Sequence, residues 1–263
     1  TQNRDVAILV MDEGTSASLT DVVVTETRHQ LSDNSGGWAL FIMEGSQVDI
    51  TRARLENNQD VGILIDTEGS RLDATDLTIV GTIENPDGIA GWALGAQYGA
   101  QVSLERALFE NNHEASLVLF GSPTHLEASD LIIRNTLGCW CADLDDGSCP
   151  ESYGDGIELM GGSSLELRRF EISGNTRVGL ATLDASSVNP EDSWDVTGTP
   201  TLTARDVLIT QNLIGVNIQG DGVDVYEDFT DVLNYDNIEV DLASSNLSMS
   251  GPTDATNATD IGD

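Results

Sequence analysis

The chain contains no lysine. Its 11 basic residues are all arginine, set against 45 acidic ones for a formal net charge of −34. So acidic a surface repels nucleic acid and anionic membranes. It suits cations or a salty medium, where the Debye length shrinks to about 3 Å at 1 M salt. Long apolar runs are missing too. A membrane span needs ~20 apolar residues, and the longest candidates here, such as Val6–Met11, are strand-sized. No charged stretch leads into an apolar one, so there is no signal peptide, and the chain reads as mature or excised from something longer. Cysteine is nearly absent as well: Cys139, Cys141 and Cys149 fall in one short segment. Their spacing, without a nearby His, does not supply the four ligands of a structural zinc site. A local disulfide in an oxidising compartment fits better, Cys139–Cys149 or Cys141–Cys149, with one thiol left over. High charge and modest hydrophobicity also describe disordered chains, but the regular apolar spacing argues against disorder here.

That spacing is an internal repeat of roughly 21 to 24 residues. From Trp38 the unit runs WALFI, EGS, QVDI, TRARLENN; from Val61, VGILI, TEGS, RLDA, TDLTIVGT; from Trp92, WALGA, YGA, QVSL, ERALFENN. Equivalent units begin at Ala115, Ile157 and Val178. Val6–Thr27 is the same unit, and Val216 opens a divergent eighth. Within each piece apolar and polar residues alternate, the period of half-buried strands. Leu19, Val48, Leu72, Val102, Leu126, Leu165 and Leu202 are expected to stack in one column; Val24, Leu55, Ile79, Phe109, Ile133, Ile172 and Ile209 form another. No window keeps a helical period, and the fixed order of a leucine-rich repeat is missing. The fold class is therefore all-β, a right-handed parallel β-helix of about eight coils, each able to bury its inward face only against its neighbours.

Asn58, Asn112, Asn175 and Asn212 share one turn position, with Thr27, Thr82 and Thr136 in the intervening coils. Side chains at such turns hold the stack and are read as structural. After each Thr the turn is long (Arg28–Gly37, Ile83–Gly91, Leu137–Gly156), and after each Asn it is short. The long loops should lie on one side, where repeat proteins often bind, although neutral loop drift is an equal reading. A further insert, Ser186–Pro200, should project elsewhere. Candidate ligand-binding residues are Trp38, Trp92, Trp140 and Tyr153. Trp38 and Trp92 open equivalent strands about 10 Å apart, the spacing of a sugar-stacking platform, against the plainer expectation that both rings pack beneath the loops. Asp143, Asp145, Asp146 and Asp155 are candidate calcium ligands. The broken register of DLDDGS favours an ordinary acidic loop instead.

The coils at this point resemble the right-handed parallel β-helix, or pectin-lyase-like, superfamily from about Val6 to Met249. The run DVVVTETRHQ, SGGWAL, RARLENNQDVGI is similar to long-short repeats in uncharacterised surface or secreted proteins of myxobacteria and relatives. The resemblance implies an extracellular or cell-surface location better than an activity. Members that cleave polysaccharides carry motif sets that do not occur here. Asp145–Asp146 sits alone in a loop; His29, His113 and His125 are scattered; Arg168–Arg169 is the one arginine pair. Two readings follow. The first is a non-catalytic module for adhesion, glycan binding or structural assembly, with residues 1–249 as the helix, a divergent cap from about 216 and a polar tail over 250–263. An adjoining domain or head-to-tail copy is expected at its N-terminal end, where open strand edges need a partner. The second is a polysaccharide lyase or hydrolase with a divergent acidic site under the long loops. A cleft with clustered, perturbed carboxylates beside an arginine would favour it, and a uniformly convex or featureless face would favour the first.

Overall fold

The computed structural model describes residues 3–86, 88–138, 153–183, 198–219, 229–238 and 240–244. Among them all regular structure is β-strand. One sheet of nine strands contains β1 (Val6–Val10), β3 (Trp38–Ile42), β5 (Val61–Asp66), β7 (Trp92–Gln97), β9 (Ala115–Phe120), β11 (Asp155–Met160), β13 (Val178–Leu183), β15 (Ile214–Ile218) and β17 (Val240–Ser244). The second, of eight, contains β2 (Ser16–Thr25), β4 (Gln47–Glu56), β6 (Arg71–Val80), β8 (Gln101–Glu110), β10 (His125–Arg134), β12 (Ser164–Ser173), β14 (Thr201–Thr210) and β16 (Phe229–Tyr235). Each strand pairs in parallel with the strand two places away in sequence. That is a parallel β-helix of eight coils begun by odd-numbered strands, plus β17, with crossovers of the kind that takes the right hand. The region from 216, expected to be a divergent cap, adds β16 and β17 to the two sheets.

The three short pieces read from sequence become one short strand and one ten-residue strand bent at its sixth residue. At each bend stands a residue with left-handed backbone: Asp21, Arg52, Asp76, Arg106, Asp130, Arg169, Asp206 and Asp231, with φ between 51° and 59°. Few side chains accept that conformation readily. Here the column alternates in charge through Arg169, and Arg52 holds Asp21, Arg106 holds Asp76 and Arg169 holds Asp130, each through two guanidinium nitrogens.

Inward side chains stack as expected. Val24, Leu55, Ile79, Phe109, Ile133, Ile172 and Ile209 lie opposite one another in successive strands. The other column needs one correction. Ala17, not Leu19, stands opposite Val48; Leu19 faces Ile50. A two-residue shift keeps a side chain on the same face, so alternation alone cannot detect the slip. The second position of the short strands from β1 to β15 is always Gly, Ala or Ser: a Cβ on Gly62 would lie 2.5 Å from the Ala93 carbonyl and 2.8 Å from Ile79 Cγ2.

The corner that leads into each short strand alternates in build. Short corners run Asn58–Asp60 and Asn112–Glu114; long ones run from Thr27 to Gly37 and from Thr82 to Gly91. The Asn and Thr columns join across them. Thr27, Thr82 and Thr136 each donate their N–H to the Oδ1 of Asn58, Asn112 and Asn175 at 3.0 Å. Asn58 and Asn112 then donate Nδ2 back to Val24 and Ile79 carbonyls. All these residues are buried, so each bond to a Thr N–H removes an otherwise orphaned backbone group.

Candidate functional site

At the short corners ending in Asp60 and Glu114 the residue before the strand has left-handed backbone, and each gives its carbonyl to two N–H groups of the neighbouring long corner: Gly91 and Trp92 for Asp60, Gly154 and Asp155 for Glu114. Their side chains meet the first residue of a long-corner strand. Trp38 Nε1 donates to Asp60 Oδ2 at 2.6 Å. Burial raises the Asp60 carboxyl above its ordinary value, and the indole bond opposes that rise. The Trp38 ring is half-buried and meets Phe41 edge-on, centroids 4.7 Å apart.

Trp92 repeats the arrangement over Gly95, where a Cβ would come within 3.0 Å of its ring. Its indole faces Glu114 without closing a hydrogen bond: Trp92 Nε1 and Glu114 Oε2 are both buried and unpaired. Burial pushes the Glu114 carboxyl up to about 7, with Asp155 and Asp60 adding repulsion.

At the third repetition the chemistry inverts. Asp155 stands where Trp38 and Trp92 stand, and Arg177 stands where Asp60 and Glu114 stand. Arg177 Nε donates to Asp155 Oδ1 at 2.8 Å and its Nη2 to Oδ2; the Val178 N–H adds a third bond at 3.1 Å. Glu158 joins them from the outer face of β11, at the position occupied by Phe41, Leu64, Gly95 and Val118 in earlier coils. Its Oε1 lies 3.6 Å from Arg177 and accepts no hydrogen bond. Burial and then the Asp155 charge hold the Glu158 carboxyl well above its ordinary value, against the pull of Arg177. Burial would lower Arg177, but Asp155, Glu158 and Tyr153 together outweigh it and keep the guanidinium charged. The Tyr153 ring covers Arg177 Cζ at 4.6 Å, the geometry of a cation–π contact.

One guanidinium thus serves two carboxyl groups, Asp155 and Glu158, and Glu158 together with the nearby Glu114 is held toward its neutral form. The cluster is closed: Asp155 is 0% exposed, Glu158 6%, and the Arg177 side chain 11%.

Of the ligand candidates, Tyr153 belongs to this cluster, while Trp38 and Trp92 lie farther up the same face. Of the calcium candidates, Asp155 is there, with both oxygens on Arg177. Trp140, Asp143, Asp145, Asp146 and the three cysteines Cys139, Cys141 and Cys149 lie outside the described residues. No group of three metal-binding side chains occurs among the described residues. The histidines each meet a different neighbour: His29 with Gln59 at 2.6 Å, His113 with Glu84 at 2.7 Å, His125 with Ser164 at 2.8 Å. Sequence reasoning missed Asp60, Glu114, Glu158 and Arg177. The available signal was a break in the repeat, with Asp155 in a tryptophan position, Arg177 in an acid position and Glu158 inside an apolar strand.

No protein-family model and no curated protein matches the chain. The chain is similar in structure to a pectate lyase, Pel9A, with a TM-score of 0.48 and 11% identity, over 98% of this chain and 72% of that one. The fold is a parallel β-helix. At that distance the likeness bears on nothing beyond it, and the fold assignment rests on the strand pairing itself.

Proposed function

We propose that the chain is a non-catalytic extracellular or cell-surface β-helix module, serving adhesion, glycan binding or structural assembly. The supporting observation is that its repeated polar groups point at the next coil. The Asp–Arg bends, the Thr–Asn corners and the Trp38–Asp60 bond all hold coils in register, and among the described residues the dense cluster of perturbed acids around Arg177 is buried. An acid that must reach a substrate needs an open approach within hydrogen-bond reach. The half-buried rings of Trp38 and Trp92 on the long-loop side supply the aromatic surface for a sugar ligand. A glycan array, run with and without Ca²⁺, followed by reducing-end and unsaturated-product assays on each hit, tests this. Binding without turnover supports it; turnover defeats it.

A second reading has a specific observation behind it. Glu158, raised beside Arg177, and Glu114, raised near Asp155, have the environment of general acids. If turnover is found, Glu158→Gln and Glu114→Gln should abolish it under this reading, with folding intact.

A further inference from the structure

Three buried polar atoms on one patch of the nine-stranded sheet have no hydrogen-bond partner: Glu158 Oε1, Asn217 Oδ1 and Gln219 Nε2. Their residues are 6%, 6% and 8% exposed. Folded chains pair nearly all such groups, because an unpaired one loses its water and gains nothing in return. Register sets these three around a slot. Glu158 stands opposite Ala181, and Ala181 opposite Asn217. One column therefore reads acid, methyl, amide across β11, β13 and β15, its two polar residues about 10 Å apart at the backbone. In earlier coils the same column holds Phe41, Leu64, Gly95 and Val118, without a polar side chain.

The slot lies on the outer face. Val216 and Ile218, on either side of Asn217, belong to the core, so strand alternation turns Asn217 outward. Gln219 still gives its N–H to the Thr182 carbonyl, and the alternation carries its side chain to the same side. The floor is apolar: Ala181 joins Val178 and Ile214 in a cluster apart from the core, and Leu183 extends it along β13, 2% exposed. Charge narrows what fits. Arg177 is bonded to Asp155 through Nε and Nη2, and the chain carries a net charge of −34. An anionic ligand meets Glu158 with no cation left to receive it. A metal ion meets the N–H donor of Gln219 and the nearby guanidinium. A hydroxyl group both donates and accepts, so it suits all three atoms.

We propose that this slot binds one uncharged sugar ring, free or at the end of a glycan, its C–H face on Ala181 and Leu183 and its hydroxyls on Glu158, Asn217 and Gln219. An apolar floor with a few placed polar groups is the usual build of a small-molecule site. So little exposure suits a ring taken in whole, not a long chain laid along the face. The ligand class rests on the glycan-binding reading above; the position does not. In the sheet, β13 lies three strands beyond β7, which makes the slot a site apart from the rings of Trp38 and Trp92.

The test is calorimetric titration of the intact chain with glucose, galactose and mannose, each free and as the terminal ring of a trisaccharide, with galacturonate alongside. At least one neutral ring should bind at millimolar concentration, and galacturonate should not. Asn217→Leu keeps the size and removes the oxygen, so it should weaken that binding about tenfold. The same variant removes an unpaired buried amide from the empty chain, so its thermal midpoint should rise by about 2–4 °C. Opposite signs in the two measurements mark a side chain held for a ligand and not for the fold. A trisaccharide that binds more tightly than its free ring identifies a glycan end as the source, and the reverse identifies a free sugar. A lower midpoint for Asn217→Leu, equal binding of galacturonate, or no binding by any neutral ring overturns the proposal. Binding lost in Trp92→Ala but intact in Asn217→Leu overturns the slot and leaves the glycan-binding reading standing. Turnover of a bound glycan ends that reading, and the Asn217→Leu result still decides the slot.

Discussion

The same corner is built twice with opposite chemistry. In the coils before Thr136 a tryptophan indole faces an acid, and Trp38 donates to Asp60. Around Asp155 the acid sits in the tryptophan's place and an arginine replaces the acid. Both versions satisfy a buried carboxylate with N–H donors, but the second brings in a full positive charge and a further acid, Glu158. A neutral donor leaves little behind when removed; a buried guanidinium leaves uncompensated charge. A second difference runs beside it. Before Asn175 the corners alternate between Thr and Asn, and after it Asn follows Asn. Asn175 donates its N–H to Asn212 Oδ1 and Asn212 to Asn237 Oδ1. The bend column likewise ends its alternation, with Asp206 followed by Asp231.

The sharpest way to break the comparison is Arg177→Met. It should destabilise the chain by about 3–5 kcal/mol, read by urea unfolding, because Asp155 and Glu158 lose their counter-charge. Adding Asp155→Asn should recover part of that. Failure to recover would mean Arg177 acts by packing alone. Next, Asn112→Ala should cost about 1–3 kcal/mol by the same measurement, since it orphans the buried Thr82 N–H.

Titration separates the two versions further. The Glu114 carboxyl is raised from 4.5 to about 7. The stability it confers is therefore complete below pH 4.5 and is lost as pH rises through about 7, because only the unfolded state releases the proton in that window. Net charge also weakens the fold as pH rises, so the informative quantity is the difference from Glu114→Gln. At pH 8 that variant should be the more stable by about 1–3 kcal/mol, and at pH 4 the gap should close. A variant less stable than the parent at pH 8 would show that Glu114 is held as a carboxylate. Trp38→Phe should cost about 1–2 kcal/mol and leave the pH dependence around Glu114 unchanged. The smallest effect belongs to the exposed bends. Asp76→Asn should barely move the thermal midpoint, and the residual change should vanish in 1 M salt. A large, salt-resistant loss would mean that the bend column carries the fold.

The stacking itself was legible from sequence, because side-chain alternation and Asn/Thr turns recur at a fixed interval. The Val24-to-Ile209 column and the Thr–Asn pairing follow directly from that. Leu19 was misplaced because a shift by two positions leaves the inward face unchanged. The charged corner was not legible for a related reason. Glu158, Arg177 and Glu114 are distant in sequence, and in a chain with 45 acids no single carboxylate stands out. Only as departures from the repeat do the three residues become visible together.

The amino-acid order alone determined that this chain coils, how many times, and which turns are long. Periodicity is a local property, and each coil needs only its neighbours. Which polar groups meet was decided by the tertiary structure. Register brings Trp38 to Asp60 and Asp155 to Arg177, and burial then fixes their charges, which no reading along a single strand supplies.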